Sequence, residues 1–230
     1  MQIRGFQKTS LIDYPEKICS VIFLSGCNFR CGYCHNPGLV IDDGSQDILE
    51  DYVINKLEER KGLVDSVCIT GGEPTLHKDL PRFIKRIKDR KLKVKLDTNG
   101  SNPEMLKHLI DNKLLDFIAM DIKNVFEKYE QTINTKVNND LLKESIKAVI
   151  RSGLEHEFRT TVLPKLHKKE DILKIAKSLA GANKYVLQQF VAAEKMLDKS
   201  YITEEKYNEE ELEAIKNECS KYVKTEIRNI

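Results

Sequence analysis

Ile18-Cys19-Ser20-Val21-Ile22-Phe23-Leu24 runs directly into Ser25-Gly26-Cys27. The first seven residues form an apolar run with one small polar interruption. That is the pattern of a strand buried on both faces, and such strands belong to parallel sheets covered by helices. A one-sided antiparallel sheet would alternate apolar and polar residues instead.

The same unit recurs down the chain. Ile48 to Arg60 reads as a helix, with Leu49, Val53 and Leu57 on one stripe. Ser66 to Thr70 is a second strand, followed by Leu80, Phe83, Ile84 and Ile87 at helical spacing behind a cap at Asp79. Leu92 to Leu96 is the third strand. Its helix is capped by Ser101 or Asn102, has Pro103 in its first turn, and carries Leu106, Leu109 and Ile110 inward. Leu115 to Asp121 is the fourth strand, and Leu142, Ile146, Val149 and Ile150 stripe a helix that Gly153 closes. His156 to Val162 and the helix with Ile172, Ile175, Ala176 and Leu179 make the fifth unit. Tyr185 to Phe190 is the sixth strand, and Tyr201 to Tyr222 reads as a solvated terminal helix.

Six βα units predict a single α/β domain over residues 1–230, with a core of about 18–190, an N-terminal extension 1–17 and a C-terminal helical segment 195–230. A doubly wound sheet and a partial barrel both satisfy this pattern. A complete eight-unit barrel takes about 250 residues.

Composition narrows the class. Thirty-eight basic against 36 acidic residues leave a net charge of +2, too balanced for a chain that lives on nucleic acid. Forty per cent apolar residues can build a core and 32% charged residues can cover it, which excludes general disorder. No apolar run approaches the roughly 20 residues of a membrane span, and the N-terminus lacks the pattern of a signal peptide. A soluble, cytoplasmic protein is expected.

In either architecture, ligand sites collect where strands end. The six strand ends carry Ser25-Gly26-Cys27, Gly71-Gly72-Glu73-Pro74, Asp97-Thr98-Asn99-Gly100, Asp121-Ile122-Lys123, Arg159-Thr160 and Gln188-Gln189. Polar and glycine-rich residues would therefore share one rim.

Three of the six cysteines, Cys27, Cys31 and Cys34, lie within eight residues. Clustered thiols in an intracellular chain point to metal or redox chemistry rather than a disulfide framework. Cys19, Cys68 and Cys219 are scattered and read as inert buried thiols. Thiolates suit zinc or an iron–sulfur cluster. Three of them leave one iron of a 4Fe–4S cube without a protein ligand, whereas a ferredoxin-type carrier uses four. Zinc on Cys27, Cys31, Cys34 and His35 is the alternative, although His35 directly abuts Cys34.

Cys27-x-x-x-Cys31-x-x-Cys34 after a first strand, with Tyr33 before the last cysteine, resembles the radical S-adenosylmethionine superfamily. Gly71-Gly72-Glu73-Pro74 after the second strand matches that superfamily's second motif. Gly5-Phe-Gln-Lys-Thr-Ser-Leu-Ile-Asp-Tyr-Pro15 and Gly26-Cys-Asn-Phe-Arg-Cys-Gly-Tyr-Cys-His-Asn-Pro37 narrow the likeness. It is to activating proteins of anaerobic ribonucleoside-triphosphate reductase, related to pyruvate formate-lyase activase, and runs from about Ile3 to Gln189.

The resemblance implies a partial (β/α)6 TIM-like barrel with parallel strands and a C-terminal helix. It implies an oxidoreductase whose 4Fe–4S cluster, held by Cys27, Cys31 and Cys34, cleaves S-adenosylmethionine to a 5′-deoxyadenosyl radical. That radical would generate a glycyl radical on a partner enzyme, the anaerobic reductase, with electrons from a flavodoxin or ferredoxin-type donor. Neither nucleic acid nor membrane is implied as a partner.

The resemblance also assigns residues. Gly71, Gly72, Glu73 and Pro74 would line the cofactor's amino group, with backbone carbonyls and the Glu73 carboxylate accepting from it. The backbone of Tyr33 would meet the adenine. Asp97 and Thr98, with Asp121, would help hold a monovalent cation, and Asn99 would approach the cofactor. Apart from the resemblance, Arg159 projects from the fifth strand near the same rim, where it would pair with the cofactor carboxylate. Gln188 and Gln189 would meet the nucleoside, one pointing inward and one outward by strand alternation.

Turn and capping roles for the Asp and Asn residues remain open on the residues alone, as does a structural ion pair for Arg159. His77, His108, His156 and His167 read as surface or packing residues, and the basic stretch Arg82 to Lys95 as solvated faces. Only the short Asp42-Asp43-Gly44-Ser45 connector follows the cluster loop, so one cluster is expected and no ferredoxin-like insert. A small-molecule enzyme resembling 7-carboxy-7-deazaguanine synthase is one alternative. A non-enzymatic metal-binding module is another, and it would need no site for a cofactor amine.

Overall fold

The computed structural model describes residues 1–41, 44 and 46–228. Asp42, Asp43 and Ser45 of the expected connector lie outside the described residues, as do Asn229 and Ile230. The strands are β1 (Ile3–Ser10), β2 (Cys19–Leu24), β3 (Ser66–Gly71), β4 (Lys93–Thr98), β5 (Phe117–Asp121), β6 (Glu155–Val162), β7 (Tyr185–Gln189) and β8 (Thr225–Arg228). The helices are α1 (Pro37–Val40), α2 (Glu50–Glu59), α3 (Leu80–Lys88), α4 (Pro103–Asp111), α5 (Tyr129–Ile133), α6 (Asn139–Arg151), α7 (Lys169–Ser178) and α8 (Glu209–Cys219). All eight strands form one sheet in sequence order. β2 to β8 run parallel and β1 pairs antiparallel with β2. Sequential parallel order, with helices in the crossovers, is the arrangement of a partial barrel.

The six expected strands are all present, and two edge strands join them. β1 is half-exposed and β8 has only four residues, Thr-Glu-Ile-Arg, so neither presents the apolar run that marks a doubly buried strand. β8 corrects the expectation of a wholly helical C-terminal segment. A second correction concerns the terminal helix. It spans Glu209–Cys219 and is packed rather than solvated, with Leu212, Ile215 and Cys219 buried. Asn208 and Glu211 form a capping box at its start. Asn102 caps α4 through Met105 N at 3.2 Å, whereas the side chain of Asp79 makes no capping bond at α3.

The two faces of each strand serve different layers. Ile22, Leu24, Ile69, Leu96 and Ile118 face outward onto the helices, packing with Val53, Leu57, Phe83 and Ile84. Cys19, Val21, Cys68, Phe117 and Ala119 face the interior of the curl. Tyr14, from the N-terminal extension, closes that interior where the strands begin, with its ring centroid 5.7 Å from that of Phe117. Above this apolar layer the strand interior turns polar, and the site begins. No helix among the described residues is long and apolar enough to cross a membrane.

Candidate active site

A cavity of about 280 Å³ opens at the C-terminal ends of the strands. Cys27, Cys31 and Cys34 form one wall, with Tyr33 and His35 beside them. Gly71, Gly72, Asp97, Thr98 and Asn99 form the facing wall, and Asp121, Arg159 and Gln188 the floor. The shared rim expected from the strand ends is therefore present.

The loop that carries the cysteines is fastened on several sides. Gly26 N donates to Leu39 O at 2.7 Å and Glu73 N to Gly26 O at 2.7 Å. Asn99 Nδ2 donates to Asn28 Oδ1, and Asn28 Nδ2 to Ser101 Oγ, both at 2.9 Å. Arg30 N donates to Ile133 O at 2.8 Å, and Asn134 Nδ2 to Arg30 O at 3.1 Å. Burial pushes the Cys27 thiol up to about 11 and raises Cys31 as well. Such thiols are protonated at neutral pH, so metal ligation must displace their protons.

No group of three or more His, Cys, Asp or Glu side chains among the described residues is close enough to hold a single metal ion. Tetrahedral zinc would draw its sulfurs to within about 3.8 Å of each other. All three thiols line one cavity, and their sulfur-only donor set is the one iron–sulfur clusters take.

Gly71 and Gly72 must be glycine, for a reason beyond ligand approach. Gly71 has φ +119°, and a Cβ there would lie 2.3 Å from Leu24 O. A Cβ on Gly72 would lie 2.0 Å from Gly26 O. The two glycines let the end of β3 press against the start of the cysteine loop while both line the cavity.

The Glu73 carboxylate, expected to accept from the cofactor's amino group, is engaged by the protein itself. It is fully buried and does not line the cavity. Oε1 accepts from Thr75 N (3.1 Å), Thr75 Oγ1 (2.5 Å) and Thr98 Oγ1 (2.7 Å), and Oε2 accepts from Asn99 N (2.5 Å). Four donors saturate it and leave little capacity for a ligand amine. Burial raises its pKa despite these bonds. Pro74 is buried in the same 3₁₀ turn and also lies off the cavity.

The floor is an ion-pair ladder. Arg159 Nε lies 2.7 Å from Asp121 Oδ1, and its Nη1 lies 3.2 Å from Asp97 Oδ2. Lys95 Nζ is 2.5 Å from Asp97 Oδ1 and Lys123 Nζ 3.0 Å from Asp121 Oδ2. Burial pushes both carboxyls up, but Arg159 and the lysines outweigh it and hold both below the usual carboxylate range. Three side-chain cations thus surround the two carboxylates expected to help hold a monovalent cation. Arg159, expected to pair with a ligand carboxylate, is engaged by Asp121 and Asp97. Lys95 belongs to this ladder and not to a solvated basic face, being 2% exposed.

Strand alternation resolves the glutamine pair. Gln188 lines the cavity, whereas Gln189 is turned away and donates from Nε2 to Tyr207 O. Thr161 also lines the cavity but was not singled out by the sequence, and Lys123, quoted at the fourth strand end, lines it without having been given a role. Lys123 lies two residues beyond Asp121, on the same face by alternation, and that was the available signal.

Comparisons with known proteins identify the family. The family model of the Radical SAM superfamily matches residues 21–179. A protein of Methanocaldococcus jannaschii, provisionally named a glycyl-radical enzyme activating enzyme, is 38% identical over 193 residues, covering 82% of this chain and 79% of its own. The pyruvate formate-lyase-activating enzyme of Clostridium pasteurianum is 30% identical over 185 residues, 76% of this chain and 74% of its own. Among solved structures, Streptococcus suis SuiB bound to S-adenosylmethionine superposes with a TM-score of 0.70 at 15% identity, covering 91% of this chain and 52% of that one. That likeness concerns the fold, and this chain spans about half of SuiB.

Proposed function

The chain belongs to the Radical SAM superfamily, and from that premise we propose that it is an activating enzyme that generates a glycyl radical on anaerobic ribonucleoside-triphosphate reductase. Membership brings the superfamily's 4Fe–4S cluster and S-adenosylmethionine as cofactors. The observation that carries the reading is the single cavity in which Cys27, Cys31 and Cys34 face Gly71, Gly72 and Asn99.

When bound, the cluster and S-adenosylmethionine supply a 5′-deoxyadenosyl radical able to take a hydrogen atom from a glycine of the partner. The chain's own residues hold and orient these groups. Cys27, Cys31 and Cys34 bind three irons as thiolates. The backbone of Gly71 and Gly72 offers acceptors to the ammonium of the nucleoside cofactor. Glu73 acts one step removed: by bonding Thr98 and Asn99 N it fixes the β4 end against the β3 end. Asn99 then joins that wall to Asn28 in the cysteine loop. Tyr33 and Gln188 line the space left for the nucleoside. The cations Arg159 and Lys123 in the cavity lining suit the cofactor's carboxylate.

The reductase as partner is supported by Gly5 to Pro15. Two of its residues have packing reasons, since a Cβ on Gly5 would lie 3.0 Å from Phe23 Cδ2 and Tyr14 plugs the interior. Leu11 and Ile12 are 71% and 88% exposed, and packing does not account for them. A flavodoxin or ferredoxin-type protein would serve as electron donor, in the cytoplasm. The test is anaerobic incubation of the reduced, cluster-loaded protein with S-adenosylmethionine and the reductase, read by electron paramagnetic resonance. A glycyl doublet on the reductase, absent with pyruvate formate-lyase, supports this partner. A doublet on pyruvate formate-lyase alone would replace it.

A further inference from the structure

The cysteine loop is also held by a segment far away in sequence. Leu197 N donates to Cys34 O at 3.3 Å, and Asp198 N donates to Gly32 O at 2.9 Å. Asp198 Oδ1 accepts from Ser200 N at 2.8 Å and starts the 3₁₀ turn Lys199–Thr203. That turn lays the ring of Tyr201 over the loop. The ring is buried, with its centroid 6.0 Å from that of Tyr33. Its fit to Gly32 is close, because a Cβ on Gly32 would lie 2.5 Å from Tyr201 Cε2 and 3.2 Å from Asp198 Cβ. Lys165, in the loop after β6, places Nζ 4.5 Å from the Tyr201 ring centroid and pairs with Glu204.

We propose that Tyr201 is a positioning residue: residues 197–204 act as a strap that clasps the loop between Cys31 and Cys34 and holds those sulfurs in place for the cluster. Gly32, at the centre of the three-cysteine loop, is glycine because the strap lies on it. The inference rests on the reading of the cysteines as cluster ligands. Its physical basis does not. The loop has no regular secondary structure of its own, and a short loop pinned only by scattered hydrogen bonds opens easily. Two backbone hydrogen bonds and an aromatic ring seated on a glycine suppress that opening. The strap also ties the cluster loop to the β6–α7 loop through Lys165, so three rim segments move as one.

The test uses cluster-free protein, kept reduced, and a small alkylating reagent. Peptide mapping follows the rate at each cysteine. Cys19, Cys68 and Cys219 are buried outside the loop and report any global loosening. Tyr201→Ala is expected to speed alkylation of Cys31 and Cys34 roughly tenfold or more, the scale of losing one buried aromatic contact, with the other three thiols unchanged. Tyr201→Phe keeps the ring and should react at the wild-type rate. Gly32→Ala should act like Tyr201→Ala, and combining the two should add little, because each removes the same contact. After reconstitution, the same variants should lose iron to a chelator faster in the same order.

Unchanged rates at Cys31 and Cys34 would overturn the proposal, as would equal acceleration at all five thiols. Full additivity of the two substitutions would also overturn it. If even the wild type takes up no cluster, the reading of the cysteines fails, and the alkylation rates still decide whether the strap holds the loop.

Discussion

Asp121 and Arg159 are register partners on β5 and β6, and Arg159 Nε donates to Asp121 Oδ1 at 2.7 Å inside the sheet's curl. The pair closes a chain of alternating charge from Lys95 through Asp97, Arg159 and Asp121 to Lys123. A buried ladder of this kind tolerates loss of a whole pair far better than loss of one member.

Arg159→Met strands two buried carboxylates with only their lysines. Unfolding by urea should show a loss of about 3–5 kcal/mol. Adding Asp121→Asn should recover part of it, since one carboxylate no longer needs a partner. A single variant as stable as the wild type would remove the ladder from this account.

Glu73→Gln separates an indirect role from a direct one. The amide places an N–H against donors that the carboxylate accepted, which costs about 1–3 kcal/mol of stability. Weaker binding of S-adenosylmethionine should accompany that loss, through displacement of Asn99. Weaker binding with unchanged unfolding would mean that Glu73 touches the ligand itself.

Histidine burial sets an acid limit on the fold. His167 is buried, with Nε2 donating to Lys123 O at 2.7 Å while Nδ1 accepts from Leu163 N at 3.3 Å. Burial lowers its pKa, and that of His77 likewise. Both are therefore neutral in the fold, while the unfolded chain takes up their protons near pH 6.5. Their contribution is complete above about pH 6.5 and is lost as the pH falls through the folded values. Urea midpoints of the cluster-free protein should drop between pH 7 and pH 5. His167→Gln should flatten that slope, and an unchanged slope would contradict the assignment.

Tyr14→Ala tests whether the N-terminal extension is part of the fold. Removing the ring that caps Cys19, Val21, Cys68 and Phe117 should cost about 3–5 kcal/mol. A loss under about 1 kcal/mol would make the extension an appendage.

Much of this architecture was legible in the sequence because doubly buried strands announce themselves. Ile18 to Leu24 is an apolar run of the kind a covered parallel sheet needs, whereas Leu92 to Leu96 and His156 to Val162 alternate with charged residues and were legible from the helical stripes that flank them. β1 and β8 were not legible, since each is half-exposed and β8 is only four residues long. The packed stripe of Leu212, Ile215 and Cys219 was written in the sequence but hidden among the glutamates of α8. At the site, the three closely spaced cysteines all line one cavity. Side-chain direction was not readable, because it depends on tertiary neighbours. Glu73 turns inward because Thr75, Thr98 and Asn99 converge on it. Gln189 turns outward to Tyr207. Tyr201 found its place over Gly32 only through folding of a segment about 170 residues away.

The central claim is radical chemistry at Cys27, Cys31 and Cys34. The direct measurement is 5′-deoxyadenosine formed from S-adenosylmethionine by protein reconstituted anaerobically with iron and sulfide and then reduced. The account predicts product from the wild type and none from Cys31→Ala. A colourless, zinc-loaded wild type that forms no product would contradict it.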